Sequence, residues 1–286
     1  MKPGARAISG MMAAIALLWL TSAAAAQAPA QKGGSYLKNI EQCNKSDPAS
    51  LDARIEGCTA FIDGRQGTKI ALAVAFNNRG IALIAKRDYD HAIGDFGRAI
   101  ELNPAYAKPL NNLGVAYVKT GQHDLAIKAF DEAIGLNPNY AEAFVNRAEA
   151  YLKTKEYDRA TRDYDEAIRL APDLGAAWSG RCWSRVMLGA LQAALEDCDR
   201  ALGAGGNNAA SYDSRGLIYL KMGRLDAAIE DYGFALRIEP KLASSLYGRG
   251  LARMRQGDKD GGKTDIAAAE KIQPGIGDDF TRYGVR

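Results

Sequence analysis

The sequence predicts an all-α fold, a stack of antiparallel helix pairs. Three observations carry this. A 34-residue period runs six times without insertion, in frames beginning at Ala73, Ala107, Ala141, Gly175, Ala209 and Ala243. Within each frame, apolar residues recur at helical spacing in two stretches. These are broken in mid-period near Gly121, Gly189, Gly223 and Gly257, and again at Pro104, Pro138, Pro172, Pro240 and Pro274. Small residues hold the eighth place (Gly80, Gly114, Ala148, Cys182, Gly216, Gly250) and the twentieth (Ala92 through Ala228, then Gly262), where two helices can approach closely.

The elements follow in chain order. Residues 1–26 read as a secretory signal: Lys2 and Arg6 precede an apolar run from Met11 to Leu20, and Ala24, Ala25 and Ala26 lead to a cut before Gln27. The run falls short of the ~20 residues of a membrane span, so no stable membrane insertion is expected after cleavage. An exported, periplasmic chain is expected. The full sequence carries 37 Lys+Arg against 34 Asp+Glu, and losing Lys2 and Arg6 leaves it nearly neutral. That argues against a general phosphate-binding surface, which needs clustered positive charge, so no nucleic-acid partner is expected. Residues 27–35 read as a linker, and 36–72 as a helical hairpin carrying Cys43 and Cys58 that caps the stack.

The repeats are placed at 73–106, 107–140, 141–174, 175–208, 209–242 and 243–276. Their fourth place is large: Phe76, Leu110, Phe144, Trp178, Tyr212, Leu246. Asp90, Asp124, Asp158, Asp226 and Asp260 stand in the first turn of the second helices, where negative charge suits the helix dipole. One helix pair cannot bury its apolar face alone, so neighbours must stack. Residues 277–286 follow as a cap or tail, laying Phe280 and Tyr283 over the open end of the last pair. The stretch GAGGNN, Gly203 to Asn208, replaces the Asn-Pro corner and reads as a hinge.

The recurring large-x-x-x-Gly of the first helix, the Ala126, Phe130 and Ala133 pattern of the second, and the corners Asn103-Pro104 and Asn137-Pro138 resemble the tetratricopeptide repeat. The resemblance covers residues 73 to about 276. It implies a right-handed superhelical solenoid whose first helices line a concave groove that binds peptides or protein segments, without catalysis and without a cofactor. The family's charged clamp for chaperone tails is not expected, since Asn77, Ile81, Asn112, Glu142 and Asn146 occupy the matching places.

One motif points elsewhere. GDKDGGKT, residues 257–264, fits G-x-x-x-x-G-K-[ST]. A phosphate loop needs a strand entering it and a helix starting at Lys263 and Thr264. In the repeat register Gly257 is a mid-period glycine, and Gly262 and Lys263 fall inside a second helix. A helix–turn–helix corner is therefore expected, and a nucleotide-binding enzyme is the remote alternative.

Comparison among the six copies suggests structural pairs. The seventh place is Arg79, Leu113, Arg147, Arg181, Arg215 and Arg249; the twenty-third is Asp95, Ala129, Asp163, Asp197, Asp231 and Asp265. The one copy lacking Arg also lacks Asp, so pairing within each repeat leaves no charge unmatched. Cys182 and Cys198 likewise depart together from the pattern, which favours a disulfide in an oxidising compartment. Their 16-residue spacing is nearly repeated by Cys43 and Cys58. Four cysteines allow three connectivities, and four buried thiols is the alternative. No metal site is expected, since His91 and His123, the two histidines, read as exposed at helix corners.

For binding, the sixth place of the first helices carries Asn78, Asn112 and Asn146, with Asn77 and Asn111 just before, and then Gly180, Ser214 and Gly248. A ladder of amides can hold an extended backbone; the alternative is a common residue with no task. Trp183, with Leu217 and Tyr247, is either a binding anchor or packing between repeats. The function expected is a non-catalytic scaffold that binds another protein or an extended peptide, with a permanent subunit of a cell-envelope complex as the alternative.

Overall fold

A computed structural model describes residues 37–45, 50–65, 67–204 and 209–285. The signal and linker readings lie outside them, as do 205–208 of the expected hinge. Among the described residues there are helices and no strand. Residues 37–44 form α1, followed by α2 (Leu51–Asp63), α3 (Lys69–Ala85), α4 (Tyr89–Leu102), α5 (Ala107–Lys119), α6 (His123–Leu136), α7 (Ala141–Lys153) and α8 (Tyr157–Leu170). Then come α9 (Gly175–Met187), α10 (Leu191–Gly203), α11 (Ala209–Lys221), α12 (Leu225–Ile238), α13 (Ala243–Gln256), α14 (Lys259–Ile272) and α15 (Ile276–Arg282). The first repeat's leading helix begins at Lys69, four residues before its frame, because the Thr68 side chain caps it by accepting from the Ala71 N–H.

Each mid-period corner is the same device. The fifteenth place takes positive φ, and the next N–H reaches back five residues, as from Gln122 to Tyr117 O and from Arg224 to Tyr219 O. Gly121, Gly189, Gly223 and Gly257 suit that conformation. Arg87 and Lys155 adopt it too, at φ 64° and 63°, against the steric preference of L-residues. The second corner uses proline: α4 and α6 stop at Leu102 and Leu136, since the Asn before Pro is driven out of helical conformation.

The chain divides into two compact units, Met1–Pro104 and Ala105–Arg286. In the first, α2 packs on α3 and α3 on α4. Cys43 and Cys58 form a disulfide whose sulfurs lie in a small core with Phe61 and Ala75.

In the second unit the helices pair as α5–α6, α7–α8, α9–α10, α11–α12 and α13–α14. The first helices α5, α7, α9, α11 and α13 also touch one another in succession, whereas the second helices do not. Closer spacing along one row bends the stack toward that row, so the first-helix face is the inside of the curve. Two of these pairs, α5–α6 and α11–α12, are locked by a ring on a glycine. A Cβ at Gly114 would meet the Phe130 ring at 2.5 Å, and one at Gly216 the Tyr232 ring at 3.0 Å. In the fourth repeat, a Cys182–Cys198 disulfide stands where the glycine and ring would be.

Candidate functional site

The site grows from a departure in that packing. Tyr164, on α8, replaces the phenylalanine of the preceding repeats; it is 1% exposed, and its hydroxyl end projects toward α9. A Cβ at Gly180 would come within 2.2 Å of Tyr164 Cζ, so only glycine leaves the ring its place. Two periods on, Tyr232 and Gly248 repeat the relationship at the same 2.2 Å. The change from Asn to Gly at the sixth place is thus a consequence of Tyr sixteen residues earlier.

Beside Gly180 the first-helix face opens into a cavity of 680 Å³. Leu152, Trp183 and small residues such as Ala176 and Ala210 form its walls, and Glu149, Tyr164, Ser179, Asp213 and Ser214 supply polar groups. No Lys or Arg is among the described residues that line it. Ser245 donates to Asp213 Oδ1, and Asp213 makes no ion pair among the described residues. Burial pushes its carboxyl up to about 6, against the pull of the Ser245 and Ser244 hydroxyls. Burial likewise lifts the Tyr164 phenol far above its ordinary range.

The C-terminal segment bounds this face. α15 packs on α13 and α14 and buries Ile276 and Phe280, with Phe280 tilted against Tyr247 at 4.8 Å. The chain then crosses the first helices: Lys221 Nζ donates to Tyr283 O at 2.6 Å, and the Tyr283 ring meets Trp183 edge to face at 5.2 Å. The tail therefore extends beyond the open end to the fourth repeat, because Tyr283 finds an aromatic partner there.

Several expected ligand-facing residues are turned inward. Leu217 is 3% exposed in the core that also holds Val186, Tyr232 and Phe280. Asn77 and Asn111 are buried, each beside the amide of the residue that follows it. The amides largely serve one another. Asn78 Nδ2 donates to Asn44 Oδ1 at 3.0 Å, and Asn146 Nδ2 to Asn111 Oδ1 at 2.8 Å. Asn111 Nδ2 lies 3.4 Å from Asn112 Oδ1. Trp183 and Tyr247 are half-buried, and of this group Trp183 lines the cavity.

The phosphate-loop motif lacks its geometry. Gly257 ends α13 in left-handed conformation, Asp258 caps α14, and Lys263 and Thr264 lie within α14, with Thr264 Oγ1 bonded to Asp260 O. Among the described residues no strand precedes it. Of the histidines, His91 is exposed and bonded to Asp88, whereas His123 is half-buried, because α6 begins with it facing its neighbours.

Residues 77–141, 111–175 and 145–209 each match a family model described as tetratricopeptide repeat, and 216–257 match a second, described as TPR repeat. The chain belongs to the tetratricopeptide repeat family. Solved structures of similar fold include a tetratricopeptide repeat protein from Parabacteroides merdae ATCC 43184, with 18% identity, TM-score 0.65, and 88% of this chain and 98% of that one covered. Pseudomonas aeruginosa pilF has 17% identity and TM-score 0.64 over 74% and 95%. YrrB, described as a TPR protein with an unusual peptide-binding site, has 22% identity and TM-score 0.51 over 63% and 93%. No curated protein matches.

The tetratricopeptide repeats here are also joined by charge. Arg147, Arg181 and Arg215 each grip one carboxylate of their own repeat through two nitrogens, as Arg215 Nε and Nη2 hold Asp231 at 2.7 and 2.8 Å. Their Nη1 atoms reach Asp131, Asp165 and Asp199 of the preceding repeat at 2.6–2.7 Å. Arg79 holds Asp95 in the same way, and Arg249 holds Asp265. The fourth-place rings Phe144, Trp178 and Tyr212 lie against these guanidiniums. Burial lifts the Asp163 and Asp231 carboxyls, while the paired carboxylates hold Arg147 and Arg215 above their ordinary range. The second set of aspartates was visible at the twenty-fifth place: Gly97, Asp131, Asp165, Asp199, Gly233.

Proposed function

We propose that this chain is an exported, non-catalytic scaffold that holds a segment of another protein on its first-helix face. The observation that carries the reading is the 680 Å³ cavity on the inner row of helices, walled by small and aromatic residues and spanning α7 to α11. YrrB, a tetratricopeptide repeat protein of similar fold, has a peptide-binding site, which supports a peptide-holding role here. The two disulfides favour an oxidising compartment, in keeping with the signal read in residues 1–26. Asn112, Asn146 and Trp183 are the side chains proposed to border the bound segment.

Site-specific photo-crosslinking tests this. Benzoylphenylalanine at Ala176, an exposed cavity residue, is expected to give a discrete protein adduct in cell-envelope extract. The same probe at Leu136, exposed on a second helix, is expected to give none. Adducts only from Leu136 would move binding to the outer face and refute the groove assignment.

A further inference from the structure

We infer that the cavity between α7 and α11 is built for a cationic side chain, the arginine or lysine of an extended partner segment. This rests on the docking face proposed above and names the chemistry that the face selects. Glu149 and Asp213 both line the cavity, neither is in an ion pair among the described residues, and no cation lines it. Lys119 and Lys153 act on Glu149 from outside the lining. Asp213 is half-buried, and among the described residues hydroxyls alone reach it, so a carboxylate there has given up hydration without receiving a counter-charge.

The charged arginines elsewhere in the second unit show what this fold does with its own aspartates. Asp163, Asp197, Asp231 and Asp265 are each gripped by a guanidinium. Asp213 stands on a first helix, lines the cavity, and has no such partner among the described residues.

The remaining walls suit the same guest. Trp183 is held in place from the side by Tyr283, and it presents an aromatic surface to the cavity, which attracts cations. Leu152, Ala176 and Ala210 offer apolar contact for the methylene stem that long basic side chains carry. Small residues at 175, 176, 180 and 210 leave the needed room, and the Tyr164–Gly180 fit fixes the floor. An acidic side chain would face two like charges, and an apolar one would leave both carboxylates desolvated without compensation.

The test is selection from a random nonapeptide library displayed on phage, against the immobilised protein at pH 7.5. The recovered peptides are expected to share one Arg or Lys. A synthetic copy with that residue replaced by Gln is expected to bind at least ten-fold more weakly. The unaltered peptide should lose a similar factor on the Glu149→Gln/Asp213→Asn protein, whose isosteric changes keep the Ser245 hydrogen bond. The Gln-substituted peptide reads the preference on the wild-type protein, independently of how the variant folds. Recovered peptides without a shared basic residue, or an unchanged affinity for the Gln peptide, would overturn the cation assignment while leaving the docking face intact. No enrichment of any peptide would overturn both.

Discussion

The Tyr164 ring fills the space that a side chain at Gly180 would need, with 2.2 Å between Tyr164 Cζ and the missing Cβ. Both groups belong to the cavity lining, so packing and binding face are set by one contact. Gly180→Ala is therefore expected to destabilise the protein by about 1–3 kcal/mol, the usual cost of overpacking a rigid site. Gly135→Ala, in a helix with nothing within 4 Å of the new methyl, is expected to stabilise by up to about 1 kcal/mol. The double change Tyr164→Phe/Gly180→Asn copies the Phe130 and Asn146 register and should recover most of the loss. Urea unfolding midpoints decide it, and a Gly180→Ala protein as stable as the parent would refute the contact.

Arg215 and Asp231 allow a second internal copy, because repeat 2 carries Leu113 and Ala129 at the same places. Arg215→Leu strands the Asp231 carboxylate, whose side chain is 4% exposed. A loss of roughly 3 kcal/mol is expected, the lower end for a broken buried pair because Arg215 itself is 21% exposed. Arg215→Leu/Asp231→Ala removes both charges and is expected to lie within about 1 kcal/mol of the parent. Equal losses for the single and double variants would show that the pair's charge is not what matters there.

The helix pairs were legible in the sequence because period, corner glycines and prolines all repeat and reinforce one another. The site was legible only in parts. Gly180 and Gly248 stood out as departures from Asn, yet their cause lay in Tyr164 and Tyr232, in the period before, and no single frame shows that relation. Asp213 gave no signal, since its place is not acidic in other copies and its isolation depends on which helix face looks inward. The tail has no period to fix it, so the reach of Tyr283 to Trp183 could be found only in three dimensions. Buried Asn77 and Asn111 show the same limit: one residue's rotation along a helix turns an amide from the groove into the interface.

Lys155 holds a left-handed φ of 63° at a corner where four repeats use glycine. Its backbone bonds, Lys155 N–H to Leu152 O and Glu156 N–H to Tyr151 O, hold the turn whichever residue stands there. Lys155→Gly is expected to stabilise the fold by roughly 0.5–1 kcal/mol, relief of the left-handed cost less the freedom glycine gains when unfolded. Thermal unfolding measures it, and a lowered midpoint would show that the lysine side chain contributes more than the strain costs.

Asp213 makes stability depend on pH in an unusual direction. Its carboxyl titrates near 6 when folded, raised by burial, against about 3.9 in an unfolded chain. The groups acting on it are the Ser245 and Ser244 hydroxyls, Glu239, and the Tyr232 and Tyr283 phenols. The folded state therefore binds the proton more tightly, and this residue's contribution is fully present below about pH 4. It is lost as pH rises through about 6, after which neither state holds the proton. Relative to Asp213→Asn, the wild-type unfolding midpoint is expected to fall between pH 4 and 6.5 and then run parallel. Parallel profiles across the whole range would show that Asp213 is solvated like a surface carboxylate, and the cavity would then lack the desolvated charge that makes it selective for a cation.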